Sequence, residues 1–220
     1  MAVPRLKICG LRQPSQAAAV ARLGVDAIGV IGVPSSPRYV PPQERSALWG
    51  AVAAVAPACA GVLVVADPED AELATLDPAA GHRVLQLHGQ ESAQRCRSLR
   101  QTLGLPLWKA LRIRQPADLD QAEAYAEVVD GLLLDAWVPD QLGGTGHRIP
   151  IDWLERFAPP LPWWLAGGIT AARVPEVLHH LKPTGLDASS GVERAPADKD
   201  LALVAALVAA VRQGGTSPSR

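Results

Sequence analysis

The chain has 220 residues, 48% of them apolar and 20% charged, with 21 Lys+Arg against 22 Asp+Glu. That balance excludes a disordered or fibrous chain, and a net charge of -1 offers no basic excess for tracking nucleic-acid phosphates. The 3 cysteines are scattered and odd in number, which argues against a disulfide framework and for a reducing, cytoplasmic setting.

Short apolar runs recur along the chain. The first, Leu6-Lys7-Ile8-Cys9, follows an N-terminus without the long apolar stretch of a secretory signal. A weak helical stripe of Ala17, Val20, Ala21 and Leu23 leads to the second run, Ala27-Ile28-Gly29-Val30-Ile31. Residues 46–66 carry no charge and are long enough to raise a membrane span. Pro57 interrupts them, however, and their first half is alanine-rich. They read instead as a helix, a break and a buried strand at 62–65. Further runs follow at 84–88, 107–111, 132–135, 163–166 and 185–189, with starts about 20–35 residues apart, the room a βα unit needs. Leu201, Val204, Leu207, Val208 and Val211 then form one apolar stripe at helical spacing. Eight strands alternating with helices predict a single (β/α)8 TIM barrel over residues 1–213, with 214–220 as a flexible tail. A doubly wound open sheet is the alternative.

In a barrel, chemistry sits where strands end and βα loops begin, which selects Cys9, His88, Asp135 and the Asp187–Ser189–Ser190 group. Cys9 reads as a packed thiol or as a general base whose thiolate needs nearby positive potential. Asp135 closes a run that should be buried. It is either a loop cap or a general acid, because desolvation there would hold its proton. Cys59 and Cys96 lack such positions. Gly167-Gly168 closes the seventh run and Ser189-Ser190-Gly191 the eighth, the loops where barrels commonly hold phosphate. Each also reads as an ordinary tight turn. Gly143-Gly144-Thr145-Gly146 suits a loop over a site or a solvated turn. Arg38 sits among Pro34, Pro37, Pro41 and Pro42, which would preset its guanidinium as a carboxylate clamp; an exposed surface arginine is the alternative. The histidines His82, His88, His147, His179 and His180 show no metal-ligand spacing.

The ordered set Lys7-Ile8-Cys9-Gly10, Ser36-Pro37-Arg38-Tyr39, Gln86-Leu87-His88-Gly89, Gly143-Gly144-Thr145-Gly146, Ala166-Gly167-Gly168 and Asp187-Ala188-Ser189-Ser190-Gly191-Val192-Glu193 resembles the phosphoribosylanthranilate isomerases of tryptophan biosynthesis. The resemblance implies a cofactor-free Amadori rearrangement of N-(5-phosphoribosyl)anthranilate to 1-(o-carboxyphenylamino)-1-deoxyribulose 5-phosphate. It implies Asp135 as the general acid on the furanose ring oxygen and Cys9 as the base that removes the C2′ proton. Arg38 would meet the anthranilate carboxylate, with His88 and Asp187 lining the site. Gly167, Gly168, Ser189, Ser190 and Gly191 would grip the phosphate. Where the family often has an aromatic residue and a lysine, this chain has the small stretch Ile31-Gly32-Val33-Pro34-Ser35. The resulting expectation is a cytoplasmic enzyme, monomer or homodimer, with a small-molecule substrate, no metal, no nucleic acid and no membrane. The competing readings are another phosphosugar barrel enzyme, for which Lys109 is the one strand lysine in a plausible place, and a non-catalytic barrel that binds a phosphorylated metabolite.

Overall fold

The computed structural model describes residues 3–74, 76, 78–137 and 147–216. Eight strands form a closed parallel barrel in sequential order: β1 (Arg5–Cys9), β2 (Ala27–Ile31), β3 (Ala60–Val65), β4 (Val84–Leu87), β5 (Leu107–Ile113), β6 (Gly131–Ala136), β7 (Trp163–Leu165) and β8 (Gly185–Ala188). The open-sheet alternative is excluded by β1 pairing with both β2 and β8, with Lys7 in register with Ala27 on one side and Asp187 on the other. Every run read from the sequence as a strand is one, because parallel strands covered on both faces are apolar almost without a break.

The helices lie between the strands: α1 (Pro14–Arg22), α2 (Pro42–Ala53), α3 (Asp70–Leu73), α4 (Ala93–Leu103), α5 (Ala122–Tyr125), α6 (Ile151–Leu154), α7 (Val174–His180) and α8 (Leu201–Thr216). The uncharged 46–66 stretch divides into α2, a break and β3, as expected, and no helix among the described residues is long and apolar enough to cross a membrane. In α8, Val204, Leu207, Val208 and Val211 are buried, whereas Leu201, at its first position, is exposed. The helix extends through Gly214, into the segment read as a tail, and residues 217–220 lie outside the described residues.

Two layers of core follow from strand alternation. Outward-facing Leu6, Ile8, Ile28, Leu63, Leu85, Leu132 and Leu134 pack beneath helix residues such as Val20, Leu48, Leu99, Val177 and Leu207. Inside the ring lie Cys9, Ala27, Val62, Val64 and Val84 on one side, and Ala110, Leu133, Trp164 and Ala166 on the other. Trp108 packs against both groups and stacks at 34° on Trp164, with ring centroids 4.7 Å apart. Gly185 makes room for this plug, since a Cβ there would fall 2.3 Å from the Trp164 ring. The tryptophans lie near the N-terminal ends of their strands, so the bottom of the barrel is filled and the opposite mouth is left for a site. A short antiparallel hairpin, β9 (Glu193–Ala195) and β10 (Asp198–Lys199), follows β8 at that mouth.

Candidate active site

One pocket at the C-terminal mouth gathers Cys9, Arg38, His88, Asp135, Gly167, Gly168, Asp187, Ser189 and Ser190 with Ile31, Val33, Ser36, Val64, Gln86 and Ala166. Gly191 is the one predicted site residue outside this lining. Its place is structural: a Cβ would fall 2.2 Å from the Ile169 carbonyl oxygen, so its absence lets the loops after β7 and β8 close on each other. The Gly143–Gly146 cluster lies outside the described residues.

Cys9, at the end of β1, is buried, and its backbone carbonyl accepts a 3.1 Å hydrogen bond from the Ser189 hydroxyl. Burial pushes its thiol up, and the nearby ammonium of Lys7 pulls the other way. Cys59 and Cys96 are also buried, and desolvation drives their thiols up to about 12 and about 11, so both pack as inert side chains. Lys7, two residues before Cys9 and therefore on the same inward face, is fully buried and donates to Asp187 Oδ2 at 2.9 Å. The Asp187 Oδ1 atom is buried without a hydrogen-bond partner and belongs to a pocket residue.

Asp135 enters from β6, three strand steps from β1 one way round the ring and five the other. Its Oδ1 accepts from the Ala136 backbone N–H at 2.9 Å, and its Oδ2 lies 3.5 Å from His88 Nε2. His88 Nδ1 lies 3.0 Å from Gln86 Nε2. With the amide nitrogen toward the ring, Nδ1 accepts, so Nε2 carries the proton; it is buried without a hydrogen-bond partner, with Asp135 Oδ2 3.5 Å away.

Arg38 is buried, which overturns the exposed-arginine alternative. The reason lies beyond its prolines: its Nε and Nη2 donate to the Glu193 carboxylate at 2.9 and 2.6 Å. Lys199, fully buried on β10, donates to Glu193 Oε1 at 2.6 Å and to the Ser189 carbonyl at 3.2 Å. Burial alone would raise the Glu193 carboxyl, but hydrogen bonds from Arg38 and Lys199 outweigh it and hold the carboxyl below its ordinary range. The hairpin thus aims the arginine.

The two glycine and serine turns share one construction. Gly167 and Gly168 both have positive φ, 85° and 61°, a conformation open to glycine. The Gly167 carbonyl is bound by Arg173, and the Ser189 carbonyl by Lys199. In a trans peptide the following N–H points opposite to the carbonyl. The Gly168 and Ser190 amides are therefore turned away from the buried cations, on turns that line the pocket.

The strand-end residues stand out in the sequence as parts of the site, whereas Lys7, Gln86, Glu193, Lys199 and Arg173 do not. Lys109 is not the strand lysine that matters: it lies outside this pocket's lining and donates to Glu91 Oε2 and the Gly89 carbonyl at 2.9 and 2.8 Å. Lys7 is the strand lysine that faces inward. Among the described residues no group of three or more His, Cys, Asp or Glu side chains could hold a metal ion.

The family model for N-(5'phosphoribosyl)anthranilate (PRA) isomerase matches residues 6–210. A curated N-(5'-phosphoribosyl)anthranilate isomerase of Synechocystis sp. is 49% identical over 205 residues, 92% of this chain and 93% of that protein. Among solved structures, the phosphoribosyl anthranilate isomerase of Thermus thermophilus superimposes with a TM-score of 0.82 at 31% identity, covering 95% of this chain and 98% of the other. TrpF from Jonesia denitrificans gives 0.80 at 35% identity, covering 97% and 98%.

Proposed function

The chain belongs to the phosphoribosylanthranilate isomerase family, and on that premise we propose how its own residues carry out the isomerisation of N-(5-phosphoribosyl)anthranilate in tryptophan biosynthesis. The observation that carries the reading is the placing of Cys9 and Asp135 in one pocket, on strands well apart around the ring, between two turns suited to an anion.

Asp135 protonates the furanose ring oxygen, and the ring opens to an iminium. The carboxylate left behind accepts from the Ala136 N–H, and His88 Nε2, 3.5 Å from its Oδ2, is placed to turn toward the charge as it develops. Cys9, as thiolate, takes the C2′ proton. The C–H electron pair becomes the new C=C bond of the enolamine, the iminium nitrogen is neutralised, and tautomerisation gives the ketone. The Asp187 Oδ1 atom accepts from a sugar hydroxyl. Gly168 and Ser190 amides, with the Ser190 hydroxyl, hold the phosphate. Arg38 meets the anthranilate carboxylate with the guanidinium nitrogen that Glu193 leaves over, while Ile31, Val33 and Val64 offer an apolar wall to the ring. The chain works in the cytoplasm as a monomer or homodimer, a state that light scattering reads directly.

The test is turnover of freshly prepared phosphoribosylanthranilate in the presence of EDTA. Conversion at undiminished rate is the expected result. Activity lost to EDTA and restored by a divalent ion would overturn the metal-free acid–base reading.

A further inference from the structure

Five buried or nearly buried charged side chains surround the base of the pocket beside Cys9. Lys7 pairs with Asp187 at 2.9 Å; Arg38 and Lys199 share Glu193 at 2.6 Å each. Three cations face two carboxylates, so the cluster carries one positive charge in excess. Its members converge from four places: β1, the loop after β2, β8, and the β9–β10 hairpin. The convergence on Cys9 is tight. A Cβ on Gly29 would fall 2.6 Å from the Cys9 sulfur and 3.0 Å from Lys7 Cε, so both side chains lie against the same bare backbone. A Cβ on Gly10, the next residue, would fall 2.4 Å from Arg38 Cδ. Across the pocket, the titratable groups are His88 and Asp135. Burying an excess cation is costly unless an anion completes it, and the ionisable side chain packed against Lys7 beside the same bare backbone is the Cys9 thiol.

We propose that Lys7 is a positioning residue for the isomerisation: its ammonium, held by Asp187 against Cys9, keeps the sulfur available as a thiolate aimed at the C2′ proton. The inference rests on the reading of Cys9 as base. It explains why a lysine is buried inside the barrel at a strand position where an apolar side chain would pack at no electrostatic cost. Lys7 lies outside the pocket lining and meets the reaction only at the Cys9 sulfur. Its effect passes through the sulfur, opposing the desolvation that pushes the thiol up. Lys199 acts in the same sense from farther off, and Asp187 in the opposite sense.

The experiment measures iodoacetamide alkylation at Cys9 against pH, read by peptide mass spectrometry on the whole chain, with Cys59 as the unreactive internal standard. Lys7→Met should raise the alkylation midpoint by about one pH unit or more, tenfold less thiolate at pH 7. Asp187→Asn, which removes the negative charge and keeps a side-chain oxygen to accept from the ammonium, should lower it. The acid limb of kcat/KM should move with the midpoint in each case. Opposite signs from two neighbours in one ion pair are not what lost packing produces. Midpoints that stay put in both variants, or move together, overturn the proposal. If Lys7→Met does not fold, Asp187→Asn decides alone, and a midpoint that is unchanged or raised overturns it. Cys9→Ser separates the two ideas: turnover retained there removes Cys9 as the base, while the alkylation midpoints still report what Lys7 does to the sulfur.

Discussion

Cys9 and Asp135 stand at strand ends, where removing a few atoms opens no large hole in the core, so deleting either should stop the chemistry and spare the fold. Cys9→Ala and Asp135→Asn are each expected to cut kcat roughly 10²–10⁴-fold, with circular dichroism unchanged; a folded Cys9→Ala enzyme with near-normal turnover would make the thiol a packing residue. Arg38→Ala should act differently. The substrate carboxylate changes little between ground and transition state, so its loss belongs in KM more than in kcat. Glu193 would keep Lys199 as its partner, and the hairpin should hold. Steady-state kinetics check the split, and a fall in kcat at constant KM would contradict it. Cys9, His88, Asp135 and Asp187 were legible in the sequence because a polar residue closing an apolar strand is conspicuous. Lys7 was not, since a lysine two residues before a strand end looks like a solvent-facing position. Only closure of the ring brings it to Asp187, 180 residues away.

At the scale of elements, the phosphate turns depend on backbone direction more than on side chains. Gly168→Val forces a β-branched residue to a φ of 61°, a genuine outlier for such a side chain. It also swings the amide that faces the pocket. Ser190→Ala removes one hydroxyl and leaves the amide where it is. Inhibition by inorganic phosphate should therefore weaken far more in Gly168→Val than in Ser190→Ala, and equal loss in the two would show that the hydroxyl matters as much as the turn. The glycines and serines themselves could be picked out from the sequence. Their orientation could not, because it is fixed by Arg173 and Lys199 binding the carbonyl side. The β9–β10 hairpin escaped notice for a similar reason. Strands of three and two residues have no periodicity to read, yet this hairpin supplies both Glu193 and Lys199.

For the whole molecule, eight apolar runs at βα spacing led to the barrel, because burial on both faces writes itself into composition. What fills the interior did not show in the same way, since neighbours across a ring are far apart in sequence. Trp108, Trp164 and Gly185 come from three different strands, and the glycine gives no sign in the sequence that it faces an indole. The structure makes the relation a steric one: a methyl group at 185 would lie 2.3 Å from the Trp164 ring, and the ring is buried with Trp108 stacked behind it. In a closed barrel neither strand can move aside without disturbing its other neighbour. Gly185→Ala should therefore destabilise the fold by about 1–3 kcal/mol through overpacking, and Trp164→Leu by a comparable amount through the space it vacates. The double variant places the new methyl group into that space, so its loss should be clearly smaller than the sum of the two. Urea unfolding of the four proteins completes the cycle. Strict additivity would mean that residue 185 and the indole do not compete for the same volume, and that the plug is held by something other than the bare backbone beside it.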